Sequence, residues 1–446
     1  MSIKSLIEVL ARGLLYIWQV KRRKTSIYQK PGTNNQEVGM DKKVVITSGA
    51  RTAVGAFMGG LKTVPVQQLA AKAITEALKR SNDLNPELVD EVIIGHVESS
   101  GESPNIGRDA ALLAGLISAP GSSVNRICGS GMQSVANGLM LIQTGNADVI
   151  VAGGAESLSR APFYLPLEAR YEGLKMGNSV LNDANSTYHY NAQPAPQYPR
   201  MHMGNTAENV VRRYSISRED ADKFAFDSQM KAKAAMERGR FDREIVSVEI
   251  AGRKGAVTVV DKDEHPKPAT NMEGLAKLRP AFEKEGTVTA GNASGLNDAG
   301  AAVVMMSQEK ADALGLEALV EVVDFAVVAL DPSVMGLGPV YSIRKLLEKT
   351  GLTKEDIDIY EINEAFAGQM LGCMKELDMY LDSPLYERIN PNGGAIALGH
   401  PLGATGTRLV ITAMYELIEK NKKYAITSAC IGGGMGIAVL LKNPKA

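Results

Sequence analysis

The sequence has little cysteine, and its cysteines and histidines do not follow the spacing of a metal site. It contains only three cysteines, none in a Cys-x-x-Cys pair, and five dispersed histidines without a His-Glu-x-x-His motif. So few cysteines argue against a disulfide framework and indicate a reducing compartment. The missing ligand spacings predict that the protein binds no metal.

Two further classes of protein are disfavoured by what the sequence lacks. Lys and Arg number 49 against 50 Asp and Glu, so the chain has no basic excess of the kind that nucleic-acid binding usually requires. The apolar stretch near the N-terminus is interrupted by Glu8 and Arg12 and is too short to span a bilayer. We therefore expect no nucleic-acid partner and no membrane span.

Residues 1–39 are predicted to be an N-terminal extension. Apolar residues recur at helical spacing over residues 6–18, and a basic run follows at residues 21–24. Such a pattern is typical of a membrane-surface helix or an organelle presequence. The alternative is an extension upstream of a start at Met40, which Glu8 and the scarcity of serine favour. We therefore expect a cytoplasmic protein, whereas a presequence would indicate an organelle.

The rest of the chain has the pattern of an α/β protein. With 446 residues, 45% of them hydrophobic, it can bury the cores of two or three domains. From residue 41, short β-rich runs alternate with amphipathic helical patterns. Strands are predicted at residues 43–47, 91–95, 149–152, 301–306, 318–325, 357–362, 425–428 and 436–441. Helices are predicted at residues 66–80, 131–143, 217–238, 341–349 and 405–419.

A faint internal repeat predicts two related halves. Leu84-x5-Asp90 and Leu352-x5-Asp358 each precede a predicted strand, and the two segments lie 268 residues apart. A polar segment rich in asparagine and proline interrupts the first half, and we interpret it as a lid. We expect a first half at residues 40–160 and 286–309, an inserted lid at residues 161–285, and a second half at residues 310–446.

Three reactive side chains, Cys128, His400 and Cys430, each lie in a glycine-rich turn, where backbone and substrate can approach closely. Cys128 comes just before a predicted helix, and a helix N-terminus lowers the pKa of a thiol. A lone cysteine is more often an inert buried thiol. The small residues of Cys-Gly-Ser-Gly leave room for a carbonyl beside the sulfur, so we interpret Cys128 as a nucleophile.

His400 lies in Gly-His-Pro-Leu-Gly-Ala-Thr-Gly, before another predicted helix. A histidine near its ordinary pKa can take a thiol proton and return it later. The alternative is a helix-capping or core histidine. A phosphate-binding loop is excluded because no Lys-Ser/Thr follows the glycines.

Cys430 opens Cys-Ile-Gly-Gly-Gly-Met-Gly between two predicted strands. A nucleotide-binding fingerprint would require a helix after the glycines, so we expect the free N–H groups of this loop to form an oxyanion hole. A cysteine there suits a base that removes a proton from carbon. Asn363, at the end of a strand, could hold a water or donate to an oxyanion, or it could be an ordinary cap. Cys373 has the spacing of a structural core residue.

Taken together, these motifs resemble the thiolase family. The similarity rests on N-R-I-C-G-S-G-M-Q-S, T-A-G-N-A-S-G-L-N-D, N-E-A-F-A, G-G-A-I-A-L-G-H-P-L-G-A-T-G and C-I-G-G-G-M-G, and it covers about residues 40–443. The resemblance implies an α/β thiolase-like fold of two pseudo-twofold-related βαβαβαββ halves, five-layered α-β-α-β-α, with an inserted lid domain. It also implies acyl-CoA substrates, a homodimer or homotetramer, and no cofactor apart from coenzyme A as substrate or product.

The resemblance further implies a role for each residue of the site. Cys128 would be acylated, His400 would activate it, and Cys430 would deprotonate the methyl group of the second acetyl-CoA. Asn363, through a water, and His400 would form one oxyanion hole, and the N–H groups of Cys128 and Gly432 would form the other. The implied substrate- and CoA-binding residues are His202, Met203, Lys267, Phe282, Ala290, Ser294, Ala365 and Phe366.

Within the family, the sequences Cys-Gly-Ser-Gly and His-Met-Gly resemble short-chain members with acetyl-CoA C-acetyltransferase activity. The nearest alternative is a broad-range degradative 3-ketoacyl-CoA thiolase with the same mechanism. A decarboxylating ketosynthase lacks a cysteine in the position of Cys430 and is disfavoured. An alternative from another class is a non-catalytic, thiolase-like protein that binds CoA or lipid. The presence of Cys128, His400, Cys430 and Asn363 argues against it.

Overall fold

The structure is a computed structural model, and it describes residues 42–446. The predicted extension at residues 1–39 therefore lies outside the described residues. Among residues 42–446, no helix is both long and apolar enough to cross a membrane.

Most of the strands belong to one large sheet. The strands are β1 Val44–Thr52, β2 Gly55–Ala56, β3 Glu91–Gly95, β4 Gly121–Val124, β5 Val149–Ser157, β6 Phe163–Tyr164, β7 Asn182–Asp183, β8 Ile245–Val246, β9 Val248–Ala251, β10 Val257–Val260, β11 Asn297–Ser307, β12 Val320–Ala329, β13 Ile359–Ile362, β14 Tyr424–Ile431 and β15 Met435–Lys442. The order across the large sheet is β13-β14-β15-β12-β1-β11-β5-β3-β4, with β2 on β11 and β8 on β1.

The helices cover this sheet and separate its two halves. They are α1 Val66–Arg80, α2 Ile106–Leu113, α3 Ser130–Gln143, α4 Glu168–Tyr171, α5 Ala184–Tyr190, α6 Met203–Tyr214, α7 Arg218–Glu237, α8 Met272–Ala276, α9 Gln308–Ala313, α10 Gly338–Thr350, α11 Ala367–Glu376, α12 Ala395–Leu398 and α13 Leu402–Glu419. Short 3₁₀ turns lie at Pro86–Leu88, Leu158–Arg160, Arg253–Gly255, Pro332–Leu337, Lys354–Asp356 and Tyr386–Arg388.

The two halves of the sheet repeat the same connections. In the first half β3 runs parallel to β4 and β5, and in the second β13 runs parallel to β14. Tyr360 also forms a parallel bridge to Ile389, in the place that β4 occupies in the first half. Asp90 accepts hydrogen bonds from two consecutive N–H groups at the start of β5, and Asp358 does the same at the start of β14. The predicted repeat is therefore present in the structure.

The order of the helix and sheet layers follows from which faces of the helices and strands are apolar. Helices α3 and α13 pack against each other between the two half-sheets and share one apolar cluster with both. Helices α1 and α2 cover the outer face of the first half, and α10 and α11 cover that of the second. The halves join where β1 and β12 pair in antiparallel fashion for two residues. The structure thus confirms the predicted α/β class and its α-β-α-β-α layering.

The segment between β5 and β11 combines core helices with loops. Helices α6 and α7 contribute buried side chains, among them Val210 and Phe224, to the apolar core of the second half. The buried guanidinium of Arg51, in β1, pairs with Glu244 at 2.9 Å and Asp263 at 2.7 Å, and all three side chains are almost inaccessible to solvent. These ion pairs attach the segment to the sheet. The boundaries at residues 161 and 285 remain a prediction.

Candidate active site

One cavity of about 440 Å³ brings together residues from several loops of both halves. Among its lining residues are the sequence-predicted Cys128, His400, Cys430, His202, Met203, Phe282, Ser294, Ala365 and Phe366. Lys267 and Ala290 line a second cavity, of about 310 Å³. Among residues 42–446, no group of three or more His, Cys, Asp or Glu side chains is arranged to hold a metal ion.

Cys128 lies in a tight turn before α3. Ile127 adopts φ 48°, a left-handed conformation that is strained for a β-branched residue. The Ser130 hydroxyl holds the turn by accepting from the Arg126 N–H at 2.8 Å and donating to the Ile127 carbonyl at 2.7 Å. A side chain at Gly129 would collide with Ile431. The turn therefore holds Cys128 at the cavity wall in a conformation imposed by its surroundings.

Burial raises the pKa of the Cys128 thiol to about 11. Hydrogen bonds from the N–H groups of Gly432 and of Cys128 itself act in the opposite direction but do not overcome the burial. The sequence-based expectation of a lowered pKa was therefore wrong, because loss of solvent outweighs the helix N-terminus. At neutral pH Cys128 is a thiol, and it needs a base to become a nucleophile.

His400 is held by hydrogen bonds on both sides of its ring. Its Nδ1 lies 2.7 Å from the Thr405 hydroxyl, which donates its own proton to the Pro401 carbonyl at 2.9 Å. That hydroxyl can therefore only accept from the ring, which places the ring proton on Nδ1. The Nε2 atom therefore carries the ring's lone pair, and the Asn363 amide donates to it at 3.3 Å.

The glycine before His400 is required by its surroundings. Gly399 has φ 94°, and a side chain there would run into the Asn297 amide, which accepts from the His400 backbone N–H at 2.9 Å. Burial, followed by the positive charge of Arg408, lowers the pKa of His400 to about 3. The expectation of an ordinary pKa was wrong for the same reason as at Cys128. His400 is therefore a neutral imidazole at neutral pH.

Asn363 follows β13, and its backbone N–H donates to the Ser428 carbonyl at 2.8 Å. Its Oδ1 is buried and has no hydrogen-bonding partner among residues 42–446. The chain then passes Ala365, whose carbonyl accepts from the Ser294 N–H at 3.0 Å, and Phe366. Asn363 thus lies next to His400, and the two residues after Glu364 form part of the cavity wall.

Cys430 lies near the end of β14, where the chain turns into antiparallel β15. Gly433 and Gly434 both adopt φ 78° in this turn. The structure confirms that the loop joins two strands, which excludes a nucleotide-binding fingerprint. Burial, followed by the nearby Cys128, raises the pKa of Cys430 well above its usual value. Cys430 is therefore a protonated thiol at neutral pH.

Several cavity residues were not predicted from the sequence. Helix α5 contributes Asn185, Tyr188 and His189, and the His189 ring lies 4.8 Å from the His202 ring, which stacks on Phe282 at 4.7 Å between centroids. The run Tyr-His-Tyr was visible in the sequence, but only as the composition of a predicted lid. Nothing local indicated that it reaches Cys128.

Glu156 was also missed, although it connects three segments around the site. Its buried carboxylate accepts from the N–H groups of Val97 and Glu98, both at 3.1 Å, and of Gly403 at 2.9 Å, and it lies 3.0 Å from the His96 ring. Gly403 lies in the first turn of α13, directly after the His400 loop. Glu156 therefore positions that loop through the backbone, an effect that no spacing in the sequence reveals.

Comparison with known proteins agrees with this geometry. The family model for the thiolase N-terminal domain matches residues 44–309, and the model for the thiolase C-terminal domain matches residues 316–443. An acetyl-CoA acetyltransferase of Chromobacterium violaceum is 45% identical over 90% of this chain and 100% of its own length. A β-ketoadipyl-CoA thiolase of Acinetobacter baylyi is 43% identical over 90% of this chain and 100% of its own.

Solved structures give the same result. The Bacillus anthracis acetyl-CoA acetyltransferase superimposes with a TM-score of 0.85 at 42% identity, covering 90% of this chain and 99% of its own. Human mitochondrial 3-ketoacyl-CoA thiolase in complex with CoA superimposes with a TM-score of 0.84 at 40% identity, covering 90% and 98%. This chain belongs to the thiolase family and is an acyltransferase enzyme.

Proposed function

We propose that the protein is an acetyl-CoA C-acetyltransferase, which condenses two acetyl-CoA molecules to acetoacetyl-CoA and CoA and catalyses the reverse thiolysis. The observation that carries the proposal is the single cavity holding two protonated thiols, Cys128 and Cys430, beside the neutral imidazole of His400. Acetyl-CoA acetyltransferases among the relatives at about 45% identity support this substrate.

The resting protonation states suit thiolysis. His400 Nε2 takes the Cys128 proton, and the resulting thiolate attacks the 3-keto carbon of acetoacetyl-CoA. The N–H groups of Cys128 and Gly432, which already interact with the sulfur, would donate hydrogen bonds to the oxyanion. When the carbon–carbon bond breaks, the acetyl group stays on Cys128, and the departing enolate of acetyl-CoA takes its proton from Cys430.

A second CoA thiol completes the cycle. It gives its proton to the Cys430 thiolate and attacks the acetyl-Cys128 thioester, releasing a second acetyl-CoA. His400 then returns its proton to Cys128, so every group recovers its starting state. Protonated His400 and the amide of Asn363, directly or through a water, would stabilise the enolate oxygen. The condensation is the reverse of these steps.

The remaining predicted residues would bind coenzyme A. Met203, Phe282, Ala365 and Phe366 supply the apolar wall against which a pantetheine arm would pack, and Ser294 lies beside them. Lys267 and Ala290 would contact the nucleotide end from the second cavity. We also propose a homodimer or homotetramer, which light scattering after gel filtration would measure.

The test is thiolysis by the purified protein, with kcat/KM compared for acetoacetyl-CoA and 3-ketooctanoyl-CoA. A strong preference for acetoacetyl-CoA supports the proposal, and equal or faster turnover of the longer substrate would assign a broad-range 3-ketoacyl-CoA thiolase instead. Thiolysis of neither substrate would refute the proposal.

The three cysteines provide matched variants. Cys128→Ser should abolish the acyl-enzyme that mass spectrometry detects after acetyl-CoA is added, whereas Cys430→Ser should retain acylation of Cys128 but lose condensation. Cys373→Ala is the control, because that thiol is buried in the core of the second half and donates to the Gly336 carbonyl. If Cys373→Ala were the only one of the three variants to lose acylation, the assignment of Cys128 as the acylated residue would be contradicted.

A further inference from the structure

Within the described part of the chain, helix α5 presents three polar side-chain atoms without partners at the active-site cavity, Asn185 Oδ1, the Tyr188 hydroxyl and Nδ1 of His189, whose pKa burial lowers to about 4 so that its ring is neutral. Asn185 and Tyr188 are three residues apart, so they lie on the same face of the helix, and both line the cavity that contains Cys128. The Asn185 side chain is only 8% exposed. Its Oδ1 and the Tyr188 hydroxyl are buried and have no hydrogen-bonding partner among residues 42–446.

The orientation of the Asn185 amide follows from its other bond. Its Nδ2 donates to the Leu158 carbonyl at 3.0 Å, which leaves Oδ1 as the free end of the side chain. A buried acceptor without a donor is costly, and so is a buried hydroxyl without a partner. A cavity wall that contacts only an alkyl chain would carry apolar side chains at these two positions. The pair therefore indicates a ligand group that forms hydrogen bonds.

These atoms line the same cavity as Cys128, so an acyl chain attached to its sulfur would share that cavity with them. Cys128 and Tyr188 both pack against the cluster of Val97, Leu158 and Leu402. An acyl group on the Cys128 sulfur would first contact these apolar side chains and then reach the polar atoms of α5. The apolar part suits the first carbons of the chain, and the polar part suits a substituent further along.

The charges around the cavity select the kind of substituent. No lysine or arginine of the described residues lines this cavity, so no cation is available to a carboxylate. The carboxylate of Glu156 is close enough to Tyr188 to affect its ionisation, so it would disfavour an anion in this part of the cavity. A neutral hydroxyl fits best, because it can donate to Asn185 Oδ1 while accepting from the Tyr188 O–H.

We propose that the acyl pocket is specific for acyl chains that carry a hydroxyl group a few carbons from the reacting carbonyl, in preference to plain alkyl or carboxylate-bearing chains. The inference rests on the proposed acyl transfer to Cys128 and names a substrate class beyond the acetyl group. An acetyl group leaves this part of the pocket unused, so turnover of acetoacetyl-CoA does not depend on it.

The test uses only the first half of the reaction. Acyl-CoA transfers its acyl group to Cys128 and releases CoA. Isotopically labelled CoA then takes the acyl group back. The rate at which label enters acyl-CoA therefore measures acylation, although no acyl-CoA is consumed overall. The probes are butyryl-CoA against both enantiomers of 3-hydroxybutyryl-CoA, hexanoyl-CoA against 6-hydroxyhexanoyl-CoA, and succinyl-CoA. We expect kcat/KM for exchange to be at least about tenfold higher for the hydroxylated member of one pair or both, and lowest for succinyl-CoA.

Two variants locate the effect. Tyr188→Phe removes only the hydroxyl, and Asn185→Leu replaces the amide by an apolar side chain of similar size, so each should reduce the hydroxyl preference to within about threefold of parity. Tyr164→Phe is the matched control, because its hydroxyl donates to Thr187 at 2.7 Å and it does not line the cavity. It should keep the wild-type preference.

Thiolysis of acetoacetyl-CoA by the same preparations separates the two proposals. If thiolysis proceeds while neither hydroxylated probe is preferred, or while succinyl-CoA exchanges fastest, the inference is overturned and the proposed function stands. If the preference exists but survives in both Tyr188→Phe and Asn185→Leu, the assignment to α5 is also overturned. If neither thiolysis nor exchange occurs with any probe, the proposed function fails and the inference fails with it.

Discussion

Replacing Thr405 with valine should reduce catalysis without weakening substrate binding. The Thr405 hydroxyl accepts the Nδ1 proton of His400 at 2.7 Å, and both side chains are buried. Valine has nearly the same shape but no oxygen. The ring N–H would then lack a partner, and the tautomer that leaves Nε2 free to take the Cys128 proton would lose its support.

The magnitude follows from the cost of one unsatisfied buried donor. That cost is about 1–3 kcal/mol, and if it falls on the reactive tautomer it corresponds to a loss of roughly 5- to 150-fold in kcat/KM. Thr405 does not line the cavity, so the loss should appear in kcat rather than in KM. The assay is steady-state thiolysis of acetoacetyl-CoA, with kcat and KM determined separately.

Two further variants test the cause. Thr405→Ser keeps the hydroxyl and should recover most of the activity. Thr407→Val is the control, two residues further along α13. It removes a buried hydroxyl that donates to the Gly131 carbonyl at 3.1 Å. That carbonyl still accepts a hydrogen bond from the Ser134 hydroxyl. Thr407→Val should therefore retain wild-type kcat. Activity of Thr405→Val within about twofold of wild type, in a protein of unchanged melting temperature, would refute the reasoning.

Three other predictions concern pH and packing. Because burial raises the pKa of Cys128 to about 11, its alkylation by iodoacetamide in Cys430→Ser should accelerate about tenfold per pH unit between pH 7 and 9, measured by peptide mass spectrometry. Burial raises the pKa of Glu361 to about 8, so the folded state keeps a proton that the unfolded state releases. Raising the pH from 5.5 to 8 should therefore destabilise wild type, by up to about 1.4 kcal/mol per unit, relative to Glu361→Gln in denaturant unfolding. Gly154→Ala should cost about 1–3 kcal/mol of stability, because its Cβ would meet the Gly403 carbonyl.

Each of these has an outcome that contradicts it. An alkylation rate that is constant between pH 7 and 9 would mean that Cys128 is already a thiolate. An equal pH dependence of unfolding in wild type and Glu361→Gln would show that this carboxyl does not hold the proton. For packing, Gly101→Ala is the control, since no atom lies within 4 Å of its added methyl group, and equal stabilities of the two alanine variants would refute the collision.

The regular elements were the part of the fold most open to prediction. Helix α1 was predicted over its full length, and β3 was predicted to the residue, because apolar periodicity and turn residues mark both. Strands β1 and β5 both extend further than predicted, by five residues each at their C-terminal ends. Their extra residues are small or polar, such as Gly153 and Glu156, and they form strand because neighbouring strands, chiefly β11, pair with them.

The sequence by itself determined the two-half architecture and marked the candidate site residues. Cys128, His400 and Cys430 were predicted because glycines flank them, and the repeat was predicted because the pattern Leu84-x5-Asp90 recurs as Leu352-x5-Asp358. Local patterns of this kind record what a residue does to its own neighbours along the chain. They are therefore visible without any knowledge of which segments meet.

The tertiary structure decided the properties that depend on burial and on distant partners. It raised the pKa of Cys128 and lowered that of His400, because burial removes the water that would stabilise the charged form of each group. It brought Tyr188, from a segment predicted as a lid, into the cavity of Cys128, and it connected the His400 loop to Glu156. Solvation and contacts between remote segments arise only when the chain folds, so the sequence gives no local signal of them.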